Sequence, residues 1–285
     1  MHWAFLFLVV FFVSGPAHAE PLPYSPETAA ELEAEEQRLQ AEKHLQSEPP
    51  DVVEARRWLE SAAESGSVQA MGEVGWLYEQ GLGVEPDVAK ALEYYQSAYE
   101  AGENEYGLRI GWMHLRGIGL ESDRAAAEAW FRRVIEERDD SAARLALASL
   151  MVSDARAGVR PERAARARDL LVRALEDGET DAAFYLAQMY MEGVGNLPAD
   201  PERAVHYARI GAEAGHPEMQ AWLAAVLARG ELLPRDRVEA HKWASLAASG
   251  GNRTGEQLRQ QIAAELSDAE LREARRRALQ WLNER

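Results

Sequence analysis

"GWLYEQGLGV" at residues 75–84 and "GWMHLRGIGL" at residues 111–120 place the same glycines at the same points, 36 residues apart. The phrase returns in worn form as "ASLMVSD" from 148, "AQMYMEG" from 187 and "AAVLARG" from 224, at steps of 36, 37, 39 and 37 residues. A second column runs beside it: Ala55, Ala91, Ala127, Ala167, Ala204 and Ala240. Each opens onto a large apolar pair or half-pair such as Trp58-Leu59, Tyr94-Tyr95, Trp130-Phe131 or Leu170-Leu171. A fixed period between about 20 and 50 residues is the mark of a solenoid, in which each unit buries its apolar face only against its neighbours.

Within one unit the spacing is helical. Ala70, Val74, Leu77, Tyr78 and Gly81 share one face, as do Ala91, Tyr94, Tyr95 and Ala98 in the second half, so each unit is a pair of helices. The small residues Gly75, Gly111, Ala148, Ala187 and Ala224 let the two backbones approach closely. Gly81 and Gly117 fall where a first helix must stop, and glycine takes the left-handed conformation that closes a helix. Gly83 and Gly119 extend the turn, Asp87 and Asp123 are N-caps for the second helix, and Gly66, Gly102, Gly178 and Gly215 end the second helices. The glycines are therefore joints of a repeated hairpin. "GLGVEP" is no phosphate loop, because no strand precedes it and no Gly-Lys-Ser/Thr follows.

Composition narrows the function. The 285 residues are 47% hydrophobic, enough for a folded chain, and carry a formal charge of −17. That balance repels phosphate, which argues against nonspecific binding to nucleic acid or anionic membranes. With no cysteine, disulfides, thiolate zinc sites and cysteine nucleophiles are excluded. At the N-terminus an apolar run from Trp3 to Val13 is followed by Gly15-Pro16 and by the small residues Ala17 and Ala19. It is too short to span a bilayer and reads as a secretory signal peptide cleaved after Ala19. The competing reading is an uncleaved anchor, since no Lys or Arg precedes the run. Residues 1–19 hold no Asp, Glu, Lys or Arg, so the processed protein keeps the whole −17.

The unit pattern resembles the Sel-one-like repeat family, a relative of tetratricopeptide repeats: small-x-aromatic-Tyr-x-x-Gly-x-Gly-Val, then Asp, Lys-Ala, an aromatic pair, Ala and Gly. The resemblance covers about residues 51–252 and is most complete at 67–102 and 180–215. It implies an all-α fold, a right-handed α/α solenoid of about six helix pairs with C-terminal capping helices. The expected organisation is a signal peptide at 1–19, an acidic N-terminal capping pair at 20–66, five repeats at 67–103, 104–139, 140–179, 180–216 and 217–252, and capping helices at 253–285. The third unit replaces its turn glycine with Asp154 and has a longer connection, "SDARAGVRPER", so a change of pitch is expected there. The fifth turn reads "GELLPRD". The last helix is expected to open with a capping box, Ser267 to Glu270.

No catalytic, cofactor or metal residues stand out. His44, His114, His206, His216 and His241 make no paired ligand spacing, and His114 holds the column of Tyr78 and Tyr190 as a packing substitute. Lys43, Lys90 and Lys242 do not follow a serine at Ser-x-x-Lys spacing. Arg156, Arg160, Arg163, Arg166, Arg168 and Arg173 form the one basic stretch, either a solvated face balanced by glutamates or a docking patch for an acidic partner.

The resemblance further implies that the first helices line a concave surface that holds other proteins. The face opposite the buried one carries Gln69, Trp76, Gln80, Glu105, Trp112, Arg116, Asp181, Gln188, Glu192, Glu218 and Arg229. Of these, Gln69, Trp76, Gln80, Trp112, Arg116, Gln188, Glu192 and Arg229 are the candidate partner-binding residues. Tryptophan and arginine are the usual anchors of binding hot spots; the competing reading is that Trp76 and Trp112 pad the seam between units. The expected function is a non-catalytic periplasmic adaptor, a monomer without cofactor or membrane insertion, that binds a protein or peptide segment of an envelope complex. The alternatives are a secreted hydrolase of the β-lactam or peptidoglycan type, a chemistry linked to cysteine-rich relatives, and an exported protein acting on a host.

Overall fold

The computed structural model describes residues 26–284, so the expected signal peptide and its cleavage site lie outside the described residues. Fourteen helices fill the described residues, six consecutive hairpin pairs followed by two terminal helices. The first pair is α1 (Pro26–Leu45) and α2 (Val52–Glu64), followed by α3 (Val68–Gln80) with α4 (Val88–Glu100) and α5 (Asn104–Arg116) with α6 (Arg124–Arg138). Then come α7 (Ser141–Arg156) with α8 (Arg163–Glu176), α9 (Asp181–Glu192) with α10 (Pro201–Glu213), and α11 (Pro217–Arg229) with α12 (Arg237–Ser249). The last two helices are α13 (Arg253–Ala263) and α14 (Asp268–Asn283). Strand pairing among the described residues is limited to one isolated bridge, Val194 with Leu197. From α1 to α12 each helix packs on its hairpin mate, each second helix packs on the first helix that follows it, and α13 and α14 both pack on α12. That is the all-α solenoid the period implied.

The helix ends follow the sequence signals. The Asp87 carboxylate accepts the Lys90 N–H at 3.1 Å, and Asp123 accepts the N–H groups of Ala125 and Ala126, each at 2.9 Å. Asp200 and Asp236 repeat the device at α10 and α12, each cap contributing about 1 kcal/mol. Gly81 closes α3 with φ of 68°. Gly83 has φ of 70° and lies so near the start of α2 that a Cβ there would stand 2.8 Å from the Val52 carbonyl oxygen. The second glycine of the turn is thus a contact between units as well as a bend. Ser267 and Glu270 make the reciprocal capping box at the head of α14.

The interior is a chain of side-chain layers. The rings of Tyr95, Tyr99 and Phe131 and the side chain of Leu171 are fully buried, each such burial stabilising by about 1.5–3 kcal/mol. Opposite them the first helices carry the small column. A Cβ on Gly75 would stand 2.7 Å from the Tyr95 ring, and one on Gly111 would stand 2.4 Å from the Phe131 ring. In the later units the second helix offers Leu171, Ala208 or Ala244, and the first helix carries Ala148, Ala187 or Ala224. Glycine stands where the facing side chain is a ring.

The third unit departs from the others. α7 does not stop at Asp154; it continues to Arg156, and Gly158, with φ of 71°, makes the turn instead. Asp154 is buried, and its carboxylate accepts Arg124 Nε at 2.8 Å and an Arg163 guanidinium nitrogen at 3.1 Å. A charged side chain can be interior here because two guanidiniums compensate it.

Candidate protein-binding surface

Through the middle of the stack the first helices meet across units, α5 with α7 and α7 with α9, whereas at the C-terminal end α12 meets α14. The first helices are therefore the inner layer. On α3, Gln69, Glu73, Trp76 and Gln80 follow one another at spacings of four, three and four, one continuous stripe of the helix. The stripe recurs along the stack. In the column of Trp76 stand Trp112, Ser149, Gln188 and Ala225; in that of Gln80 stand Arg116, Ser153, Glu192 and Arg229.

The expected pair of equivalent tryptophans is not equivalent. Trp76 is 42% exposed. Trp112 is half-buried: its ring meets Phe131 edge-on at 5.2 Å, it packs against the central cluster, and Arg116 lies over its outer face at 5.1 Å. For Trp112 the seam reading is the better description, while Trp76 stands free. Gln69 donates to Glu73 at 2.9 Å and Gln80 to Glu79 at 3.2 Å. Gln188 and Glu192 come together through α7, where Arg156 contacts both, at 3.2 Å and 3.3 Å. Arg229 is exposed and turns back to the Ala225 carbonyl at 3.3 Å and to Glu231 at 3.8 Å. The eight candidates thus fall into three groups along the stack, the exposed Trp76 with its glutamines, the Trp112–Arg116 stack, and the Arg156–Gln188–Glu192 cluster, with Arg229 separate.

The middle of the stripe belongs to the same surface and is absent from the sequence reading. It carries Glu73, Arg109, Ala146, Tyr185 and Trp222, the last two half-buried aromatics that extend the apolar content toward α11. Its signal was the regular spacing itself. Arg109 shows why it is fixed: it donates to the Glu79 carboxylate from Nε at 3.0 Å and from a terminal nitrogen at 2.7 Å, and the Tyr95 hydroxyl donates to the same carboxylate at 2.9 Å. Burial pushes the Glu73 carboxyl up, against the opposing hydrogen bond from Gln69 and the charge of Arg38. Burial likewise raises the phenols of Tyr185 and of Tyr106, the latter to about 12, so both remain hydrogen-bond donors at neutral pH.

The basic stretch is mostly paired. Arg163 grips Glu128 with two bonds, at 2.8 and 2.9 Å, Arg168 pairs with Asp169, and Arg156 with Glu192. Arg166 and Arg173 are exposed. Among the described residues no three His, Asp or Glu side chains are grouped to hold a metal ion, and no helix is long and apolar enough to cross a membrane.

A stack of helix hairpins with a long, mixed inner face bearing a free aromatic ring defines a tetratricopeptide-like interaction scaffold. More narrowly, the chain belongs to the Sel1 repeat family, whose repeat matches residues 44–67, 68–103, 107–137, 180–216 and 217–252, more than half of its length. The match passes over the third unit, which folds as the hairpin α7–α8 all the same. Sel1 repeat proteins generally mediate protein–protein interaction as scaffolds and are typically non-enzymatic adaptors. Among solved structures, the Sel1 repeat protein from Oxalobacter formigenes is similar at a TM-score of 0.61 and 26% identity, covering 78% of this chain and 88% of that one. The c5321 protein, a protective antigen present in uropathogenic Escherichia coli strains that displays an SLR fold, is similar at a TM-score of 0.50 and 20% identity over 90% of this chain and 70% of its own. At that identity the likeness is one of fold.

Proposed function

We propose that the protein is a non-catalytic adaptor of the cell envelope, exported, processed after Ala19 and acting in the periplasm as a monomer, where it holds a protein or peptide segment along the inner face of the solenoid. The observation that carries the reading is the inner stripe: an exposed tryptophan, Trp76, set between Gln69 and Gln80 and continued by Arg116, Gln188, Glu192 and Arg229. An aromatic ring that buries on binding, flanked by side chains that donate and accept hydrogen bonds, is the composition of a recognition surface. The export signal supports the compartment, and the family's general role supports an adaptor over an enzyme.

The test is capture of partners from envelope extract by immobilised wild-type protein and by Trp76→Ala. Truncation of an anchor that is buried in the complex weakens binding by about 2 kcal/mol or more, while an exposed side chain contributes little to folding. Trp76→Ala is expected to lose the captured protein and melt as wild type does. Undiminished capture by Trp76→Ala would move the site away from this face. Trp112→Ala is a poor substitute in the same experiment, because its ring packs on Phe131 and its loss unsettles the fold.

A further inference from the structure

On the outer layer, between α6 and the connection from α7 to α8, lies an open groove of about 610 Å³. Five arginines line it; four of them, Arg124, Arg132, Arg160 and Arg163, are held by two carboxylates, those of Glu128 and Asp154. The carboxylates are the interior partners: their side chains are 13% and 10% exposed, against 45%, 39% and 50% for Arg124, Arg132 and Arg160. Glu128 serves Arg132, Arg160 and both bonds of Arg163, and Asp154 serves Arg124 and Arg163. Arg160 is only loosely engaged, at 3.7 Å, and Arg132 Nε has no partner. The remaining charged pair, Arg133 and Glu136, adds one charge of each sign. The groove thus carries a local excess of two positive charges in a chain of −17.

Its origin is the departure of the third unit. Because Asp154 replaces the turn glycine, α7 runs on and the longer connection lays Arg160 and Val159 along the rim. Val159, 68% exposed, is an apolar side chain beside fixed guanidiniums. Held guanidiniums receive carboxylates in paired hydrogen bonds with little further loss of freedom. Charge also limits the size of the occupant. At physiological salt, charges screen one another beyond about 8 Å, so a short segment inside the groove meets its positive lining, while a broad anionic surface meets the acidic protein around it.

We propose that this groove is a second docking site, apart from the inner face, that takes an acidic extended segment of a partner protein, with Asp or Glu carboxylates on Arg124, Arg132 and Arg160 and an apolar side chain on Val159. The proposal is independent of the inner-face reading, and Trp76 takes no part in it. Fluorescence anisotropy of a fluorescein-labelled peptide Glu-Glu-Leu-Glu-Glu, titrated with the whole protein, is expected to show saturable binding that falls steeply between about 50 and about 300 mM NaCl, as the screening length shortens. Arg160→Glu is expected to weaken that binding about tenfold, and Arg132→Glu with Arg160→Glu to weaken it further. Arg160 has one distant ion-pair partner, so Arg160→Glu alone is expected to melt as wild type does and remains decisive if the double variant fails to fold. Trp76→Ala is expected to bind the peptide normally. No saturable binding, equal affinity in Arg160→Glu, equal binding of Lys-Lys-Leu-Lys-Lys, or displacement by phosphatidylglycerol vesicles at matched charge would each overturn the proposal.

Discussion

Gly111→Ala adds one methyl group, and two effects of that group oppose each other. Alanine in place of glycine inside α5 favours the helix by about 0.8–1.0 kcal/mol. The new Cβ would stand 2.4, 2.8 and 3.0 Å from three carbons of the Phe131 ring. That ring is fully buried, so it yields only by moving α6, and forcing a methyl group into such a core costs about 1–3 kcal/mol. The expected net effect is a loss of up to roughly 2 kcal/mol, which for a chain of this size lowers the melting temperature by up to roughly 8 °C. The third unit supplies the control, because there the pair is Ala148 with Leu171. Introduced into a Phe131→Leu background, Gly111→Ala is expected to be neutral or stabilising by up to about 1 kcal/mol, giving a coupling energy of about 1–3 kcal/mol in the double-mutant cycle. Thermal melts followed by far-UV circular dichroism on the four proteins measure it. If Gly111→Ala melts above wild type, or has the same effect with and without the Phe131 ring, glycine is not there to admit the ring.

Two further expectations concern ionisation and processing. Burial raises the Glu73 carboxyl in the folded state, with Gln69 and Arg38 working against the shift and Glu42 and Glu35 adding to it. A folded-state value above the unfolded one favours folding at acid pH and loses that contribution as pH rises through the folded value. Glu73→Gln is therefore expected to raise the melting temperature at pH 7 and to lose the advantage as pH falls into the carboxylate range; an equal gain at pH 3 and pH 7 would contradict it. Intact-mass measurement of protein from the periplasmic fraction is expected to show a chain beginning at Glu20, and a retained leader there would contradict processing after Ala19.

The hairpins were legible because period, caps and stops are local. Asp87 and Asp123 cap the helices their positions indicate, and Gly81 and Gly117 take the left-handed φ that a stop requires. What depended on the neighbouring unit was not legible. Trp76 and Trp112 occupy one column, yet Trp112 finds the Phe131 edge and the central cluster while Trp76 does not. Asp154 in place of glycine predicts from sequence only a change of pitch. Its role emerges only when Arg124 and Arg163, 30 and 9 residues away in sequence, are brought to its carboxylate. The same holds for Tyr106, whose hydroxyl lies over Gly72 of the preceding first helix, within 1.8 Å of where a Cβ would be. Long-range pairs of this kind leave no periodic trace in a single sequence.

The inner face is tested most directly by where on the surface a partner touches. A photo-crosslinking amino acid placed at Gln80, exposed on the inner stripe of α3, is compared with one at Gln96, exposed on the second helix α4, in cells that export the protein. Irradiation is expected to join position 80 to a discrete envelope protein and to leave position 96 without that adduct. Adducts of equal yield from both positions, an adduct from position 96 alone, or none from position 80 would contradict recognition by the inner face of the solenoid.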